Sequence, residues 1–231
     1  MKAKRVLRYI NAIFSYAIVT LGEMRYNPAV GLHVAISTRP VRHNPYLKEH
    51  ELPEFLRRLT EYQGYRVTAL ATKFLLLTMT RTGETRLARK EEIHLDEKIW
   101  RIPAERMKMA RDHWVPLSDQ ALEILDEALS FGGDYIFPSP IRNSRPISEN
   151  TILYALYDMG YRGRLTGHGF RATASTILNE KGYHSQAIER QLAHVDRNTV
   201  RASYNHAEFL TERRQILQAW ADLLDAKKNA G

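Results

Sequence analysis

The sequence predicts an α+β chain, mainly helical, with its helices around one small three-stranded antiparallel sheet. Apolar residues recur at intervals of three and four over most of the 231 residues, the period of helices with one buried face. The period drops towards two in one region only, between Ile93 and Pro116. There is no cysteine, which excludes disulfides and thiolate metal sites. A chain of this length buries roughly 70–75% of the surface its unfolded form exposes, so it needs no such staples.

The opening Met1-Lys2-Ala3-Lys4-Arg5 precedes an apolar stretch, as a signal peptide would. The pattern argues for a helix with a core face instead. Val6, Ile10, Ile13, Phe14, Ala17, Ile18 and Leu21 recur at three and four, with Arg5, Arg8 and Asn11 between them. The helix should end before Asn27-Pro28, because the residue preceding proline is pushed out of the helical region. Thr38 to Pro45 is basic and proline-bearing, and residues 36–47 read as a linker. One helix is not a domain. Residues 1–35 therefore read as the tail of a larger unit, and 48–231 as a domain of its own.

From Lys48 the helical period returns, with Leu52, Phe55, Leu56 and Leu59 on one face near 48–62 and Pro53 tolerable only in the first turn. A more buried helix is expected over 67–80, and a short one from the Thr82-Gly83 break to about Lys90. Residues 93–95, 99–102 and 113–116 read as three short strands, with Asp96-Glu97-Lys98 as the first turn and 103–112 as a longer hairpin loop. Ser118 is a good N-cap for the next helix. Further helices fit 148–159 (N-cap Ser148), 168–181, 185–193 (N-cap Ser185), 198–204 and 207–226. In the last, Leu210, Ile216, Leu217, Trp220 and Leu224 form a stripe suited to the core or, at a chain end, to a neighbouring molecule. Nowhere do 18 apolar residues run together, so no membrane span is expected.

Thirty-four Lys+Arg against 26 Asp+Glu give a net charge of +8, which favours a polyanionic partner. Six positions fit one task in that setting: Arg81, Lys108, His168, Arg171, His194 and Tyr204. A DNA phosphodiester gains negative charge as a nucleophile adds, so its cleavage needs fixed cationic donors, and the planar fork of arginine matches phosphate. His168 and Arg171 are three apart, which puts a proton carrier and a permanent cation on one helix face. Lys108, on a hairpin loop, is a candidate acid for the leaving hydroxyl. His194 is a candidate phosphate donor. Tyr204 is the candidate nucleophile, its phenolate favoured by nearby arginines. Each has a bland reading alone: Arg81 as an ion pair with Glu84, Lys108 as a solvated loop residue, Tyr204 as one packing residue among 12 tyrosines. The set carries the argument.

The strings Arg81-Thr82-Gly83-Glu84, Ile102 to Met109, Val115-Pro116-Leu117-Ser118, His168 to Ser175, and Gln191 to Asn205 resemble the catalytic domain of the tyrosine recombinase, or phage integrase, family, and more narrowly integrases of prophages and genomic islands. The resemblance implies a site-specific DNA recombinase of the cytoplasm, nucleoid-associated when bound to DNA. Arg81 and Arg171 would clamp the scissile phosphate, Lys108 would protonate the leaving 5′-oxygen, and His168 would act as general base and later acid. His194 would hydrogen-bond the phosphate, and Tyr204 would form a 3′-phosphotyrosyl bond. Glu84 would orient Arg81. No metal, nucleotide or other cofactor is implied. The implied partner is double-stranded DNA, bound by a homo-tetramer that exchanges its C-terminal helices. Residues 1–35 resemble the end of the family's core-binding domain. Two positions depart from the family pattern: Met79 stands where glycine is common, and Lys90 where tryptophan is common.

Three other readings bear on the same residues. A fragment with these phosphate contacts could be a non-catalytic DNA-binding module. A type IB topoisomerase-like relaxing enzyme shares the chemistry without strand exchange. A metal hydrolase fits poorly, since no His-Glu-x-x-His is present.

Overall fold

The computed structural model describes residues 2–22, 24–36, 45–194 and 209–229. Chain contacts divide the protein into two compact units, Met1–His43 and Asn44–Gly231.

In the first unit, α1 (Lys2–Tyr16) continues into a π turn over Ala17–Leu21 and stops at Gly22, whose φ of 67° is a left-handed value that glycine adopts without strain. The Asn27 amide folds back onto Asn11 Oδ1 at 3.1 Å. The apolar face expected to be a core face is largely uncovered within this unit, with Val6, Ile10, Ile13 and Leu21 exposed and Leu7 buried. The physical reason is that one helix and a 3-10 turn supply no second layer to pack against.

The second unit begins with α2 (Leu52–Thr60), where Pro53 falls in the first turn and its missing N–H is not needed. Next comes α3 (Arg66–Thr78), apolar nearly all round and therefore central. It packs against α5, α6, α7 and α9. Its buried Thr72 and Thr78 hydroxyls return to the carbonyls four residues back, both at 2.8 Å, so neither is left unsatisfied. After α4 (Thr82–Arg86) the chain forms β1 (Ile93–His94), β2 (Ile99–Ile102) and β3 (His113–Pro116), antiparallel in the order β1-β2-β3. Ile93 opposes Trp100, and Trp100 opposes Val115. The Lys90 side chain donates to Leu129 O at 2.9 Å and Phe131 O at 2.6 Å. It thus satisfies carbonyls at the end of α5 (Asp119–Leu129).

Ser118 caps α5 as predicted, accepting from Ala121 N. Two other expected caps are corrected. The helix α6 (Thr151–Asp158) starts from Asn150, because Ser148 spends its hydroxyl on Thr151 Oγ1 and its carbonyl on Thr151 N in a preceding turn. The helix α8 (Ser185–Gln191) starts from His184, which holds the extended conformation while Ser185 is already helical. Between them lies α7 (Gly169–Glu180). The short helix expected at 198–204 lies outside the described residues. The stripe of α9 (Leu210–Asn229) is core: Ile216, Leu217, Trp220 and Leu224 are buried, and Trp220 Nε1 donates to Leu76 O at 2.9 Å. Aromatic edges knit the rest, with Phe55 against Tyr161 and Phe170, each at 5.3 Å. Among the described residues no helix is long and apolar enough to cross a membrane.

Candidate active site

The site is built where two helices end. α3 closes at Met79 and α8 closes through Ala193, both in the left-handed region, at φ 56° and 49°. At α8, Ala193 N bonds Arg190 O and His194 N bonds Glu189 O, each at 3.0 Å, which is a Schellman closure. The last carbonyls of a helix have no donor of their own and carry the negative end of the helix dipole. Here those of α3 and α8 converge on arginines.

Arg171, from the first turn of α7, lies between the two ends. Its Nη1 donates to Met79 O at 2.6 Å and its Nη2 to Leu192 O. The guanidinium belongs to a residue only 3% exposed. Arg81 is the N-cap of α4, and its Nη2 reaches Ala193 O at 3.3 Å. Glu84 holds it twice, taking the Arg81 backbone N–H at 2.7 Å and Nη1 at 2.6 Å, so one carboxylate both caps the helix and aims the arginine. His194 places Nε2 at 3.4 Å from Arg171 Nη2 and Nδ1 at 2.6 Å from Glu189 Oε2. His168 immediately precedes α7, between Gly167 and Gly169. A Cβ at Gly167 would stand 2.5 Å from Thr82 Oγ1, beside Arg81, and one at Gly169 would stand 2.3 Å from Pro45 O. The two glycines let the His168 turn approach α4 and Pro45.

Burial, followed by the like charge of Arg81, pushes the Arg171 pKa down to about 10, so it is a cation at neutral pH. Burial also lowers the His168 pKa, helped by Arg171, Arg81 and His194. Its imidazole is thus mainly neutral at pH 7 and free to accept a proton. The Glu189 carboxylate can only accept, so it takes the hydrogen bond from His194 Nδ1, while the Arg171 guanidinium can only donate toward Nε2.

Of the residues singled out from the sequence, Arg81, Glu84, His168, Arg171 and His194 come together. Lys108 does not join them. It is exposed near the tip of the β2–β3 connection, and no hydrogen bond or ion pair among the described residues links it to the five. The base of that connection is pinned by buried Met107 and by Arg106, which donates to Glu84 O at 3.0 Å and to Leu87 O and pairs with Glu92 at 3.1 Å. Tyr204 lies outside the described residues. Sequence reasoning missed Arg106, His113, Gln191 and Arg213, which tie the site to its surroundings. For Arg213 the signal was present: it stands three, four and seven residues before Ile216, Leu217 and Trp220, inside the apolar stripe of α9. Among the described residues no three His, Asp or Glu side chains form a metal-binding group.

A mainly helical fold with this small sheet, and arginines converging on helix ends, defines a tyrosine recombinase catalytic domain. Residues 45–210 match the phage integrase family, and the chain belongs to it. It is 42% identical, over 98% of its length, to the integrase of Enterobacteria phage P4, and covers 56% of that protein. It is 40% identical, over 96% of its length, to the prophage integrase IntA of Escherichia coli strain K12, and covers 54% of it. The chain thus spans little more than half the length of these relatives. Its fold is similar to that of a lambda integrase tetramer bound to a Holliday junction, with TM-score 0.65 and 18% identity over 85% of this chain and 59% of that one. A Tn1549 transposon integrase in complex with circular intermediate DNA gives 0.60 and 13% over 90% and 77%.

Proposed function

We propose that this chain is the strand-cleaving and rejoining part of a site-specific DNA recombinase, an integrase working without metal through a 3′-phosphotyrosyl intermediate. The observation that carries this is the convergence of Arg81 and Arg171 on Leu192 and Ala193, next to His194. Two guanidinium groups so held are aimed before any ligand arrives, and preorganised donors of this kind are worth about 3–4 kcal/mol each to a developing oxyanion.

The Tyr204 oxygen attacks phosphorus as its proton passes to His168. The bond to the 5′-oxygen breaks, and that oxygen takes a proton from Lys108. Arg81, Arg171 and His194 hold the non-bridging oxygens. Rejoining is the reverse, with a 5′-hydroxyl as nucleophile and His168 as acid. The position of Lys108 on an exposed loop is compatible with delivery of its proton once DNA is bound.

In this reading residues 1–35 are the C-terminal remnant of a helical core-binding domain, 36–47 the linker and 48–231 the catalytic domain. The uncovered apolar face of α1 supports a missing remainder. The DNA-bound form is a homo-tetramer in which α9 exchanges between subunits, a swap in which each helix fills a neighbour's identical seat. The protein works in the cytoplasm, on the nucleoid. The test uses the full chain and a nicked duplex that traps cleaved strands. Tyr204→Phe should abolish the denaturant-resistant adduct while the Kd for the duplex stays within about threefold, roughly 0.6 kcal/mol. An adduct that persists in Tyr204→Phe refutes the assignment.

A further inference from the structure

We propose that Arg213 is a positioning residue for the phosphate site: from the first turn of α9 it locks Gln191, and through Gln191 it fixes the α8 end whose carbonyls hold Arg81 and Arg171. The proposal deepens the reading of this site as a phosphate site, and its test separates the two.

Arg213 is fully buried. No described carboxylate pairs with it, and burial followed by the charge of Arg190 pushes its pKa down to about 9, so it remains a cation. A buried cation with no counter-ion among the described residues is costly there, and an apolar residue would serve packing better. What the charge does hold is specific. Nε and Nη2 both donate to Gln191 Oε1, at 3.0 and 2.9 Å, and Nη2 also donates to Trp114 O in β3.

Gln191 is fixed on every side. Its Nε2 donates to Thr78 O at the end of α3, at 2.8 Å, and its carbonyl is 3.1 Å from His113 Nε2 in β3. The next three residues are the site: Leu192 O receives Arg171, Ala193 O receives Arg81, and the His194 ring meets Arg171. Ala193 holds a left-handed φ without being glycine, a conformation that persists only when its surroundings enforce it. Arg213 supplies part of that enforcement from nine residues beyond Tyr204 in sequence. Docking of α9, from the same chain or from a neighbour, therefore completes the arginine clasp.

The experiment compares Arg213→Met and Arg213→Lys with the parent chain, below the unfolding temperature of each. The first readout needs no DNA: titration of the His168 ring by NMR. Burial first, then the charges of Arg171, Arg81 and His194, depress its pKa, so a looser clasp, more open to water and with the cations further off, raises it. The second is the single-turnover rate of adduct formation beside the Kd for the same duplex. Arg213→Met should raise the His168 pKa and slow cleavage about 100-fold with Kd changed less than about threefold, the effect expected of a displacement of around 1 Å. Arg213→Lys keeps the cation and one donor to Gln191, and should recover part of both. If the Met variant does not fold, the Lys variant alone carries the comparison, with a smaller shift of the same sign. A folded variant with the parent's His168 titration and the parent's cleavage rate overturns the proposal. If the parent chain forms no adduct, the functional reading fails while the His168 titration still decides the role of Arg213.

Discussion

Met79→Gly sets two opposing terms against each other at the end of α3. Met79 holds φ 56°, where a side chain costs about 1–2 kcal/mol. Glycine removes that strain but returns about 0.5–1 kcal/mol through its freer unfolded chain. The backbone gain is therefore about 1 kcal/mol or less. Against it stands a side chain with no exposed surface, part of the main core. Truncating a buried methionine to alanine removes about 2–5 kcal/mol, and glycine removes slightly more. The balance is a loss of about 1–4 kcal/mol, although glycine suits the backbone better. Urea unfolding at pH 7 measures it, with the slope m checked for constancy so that the change is one of stability. A Met79→Gly chain as stable as its parent, or more so, would show that the Met79 side chain contributes little and that strain dominates.

Two further outcomes are expected. Gly169→Ala drives a methyl to 2.3 Å from Pro45 O, a backbone atom that cannot swing aside, and should destabilise the fold by about 1–3 kcal/mol on thermal unfolding; an unchanged Tm contradicts the close approach of the His168 turn to Pro45. His113 has its pKa held well below the usual value by burial and then by Arg213 and Arg190. Below about pH 6.5 the unfolded chain binds a proton that the folded chain refuses, so stability falls with falling pH by up to ~1.4 kcal/mol per unit. His113→Gln should flatten that slope in unfolding titrations between pH 7 and 5, and an unaltered slope would show that His113 does not set it.

Periodicity made most of the helices and the hairpin legible, because α3, α5 and β2 bury residues where their period requires. The two helix starts read from Ser148 and Ser185 were not, since a serine favourable for capping also suits the turn before a helix. The apolar face of α1 was legible as a pattern, but what covers it is a matter of tertiary context. The convergence of Arg81, His168, Arg171 and His194 followed from family strings. What aims the arginines did not, because backbone carbonyls at helix ends leave no mark in side-chain identity. Arg213 and Gln191 sit among charged neighbours and resemble a solvated face until the phase of α9 is followed through Arg213 to Leu224.

The carbonyl clasp on Arg171 has a consequence for how such a site drifts over time. A guanidinium held by carboxylates is lost when one codon changes. Arg171 instead rests on main-chain oxygens of Met79 and Leu192, which every amino acid possesses. Substitutions at these two positions can therefore accumulate without removing the acceptors, provided α3 and α8 still end where they do. Position 79 illustrates the point: what Arg171 uses there is the main-chain oxygen of a residue in a left-handed turn, placed by where α3 stops and not by the methionine side chain.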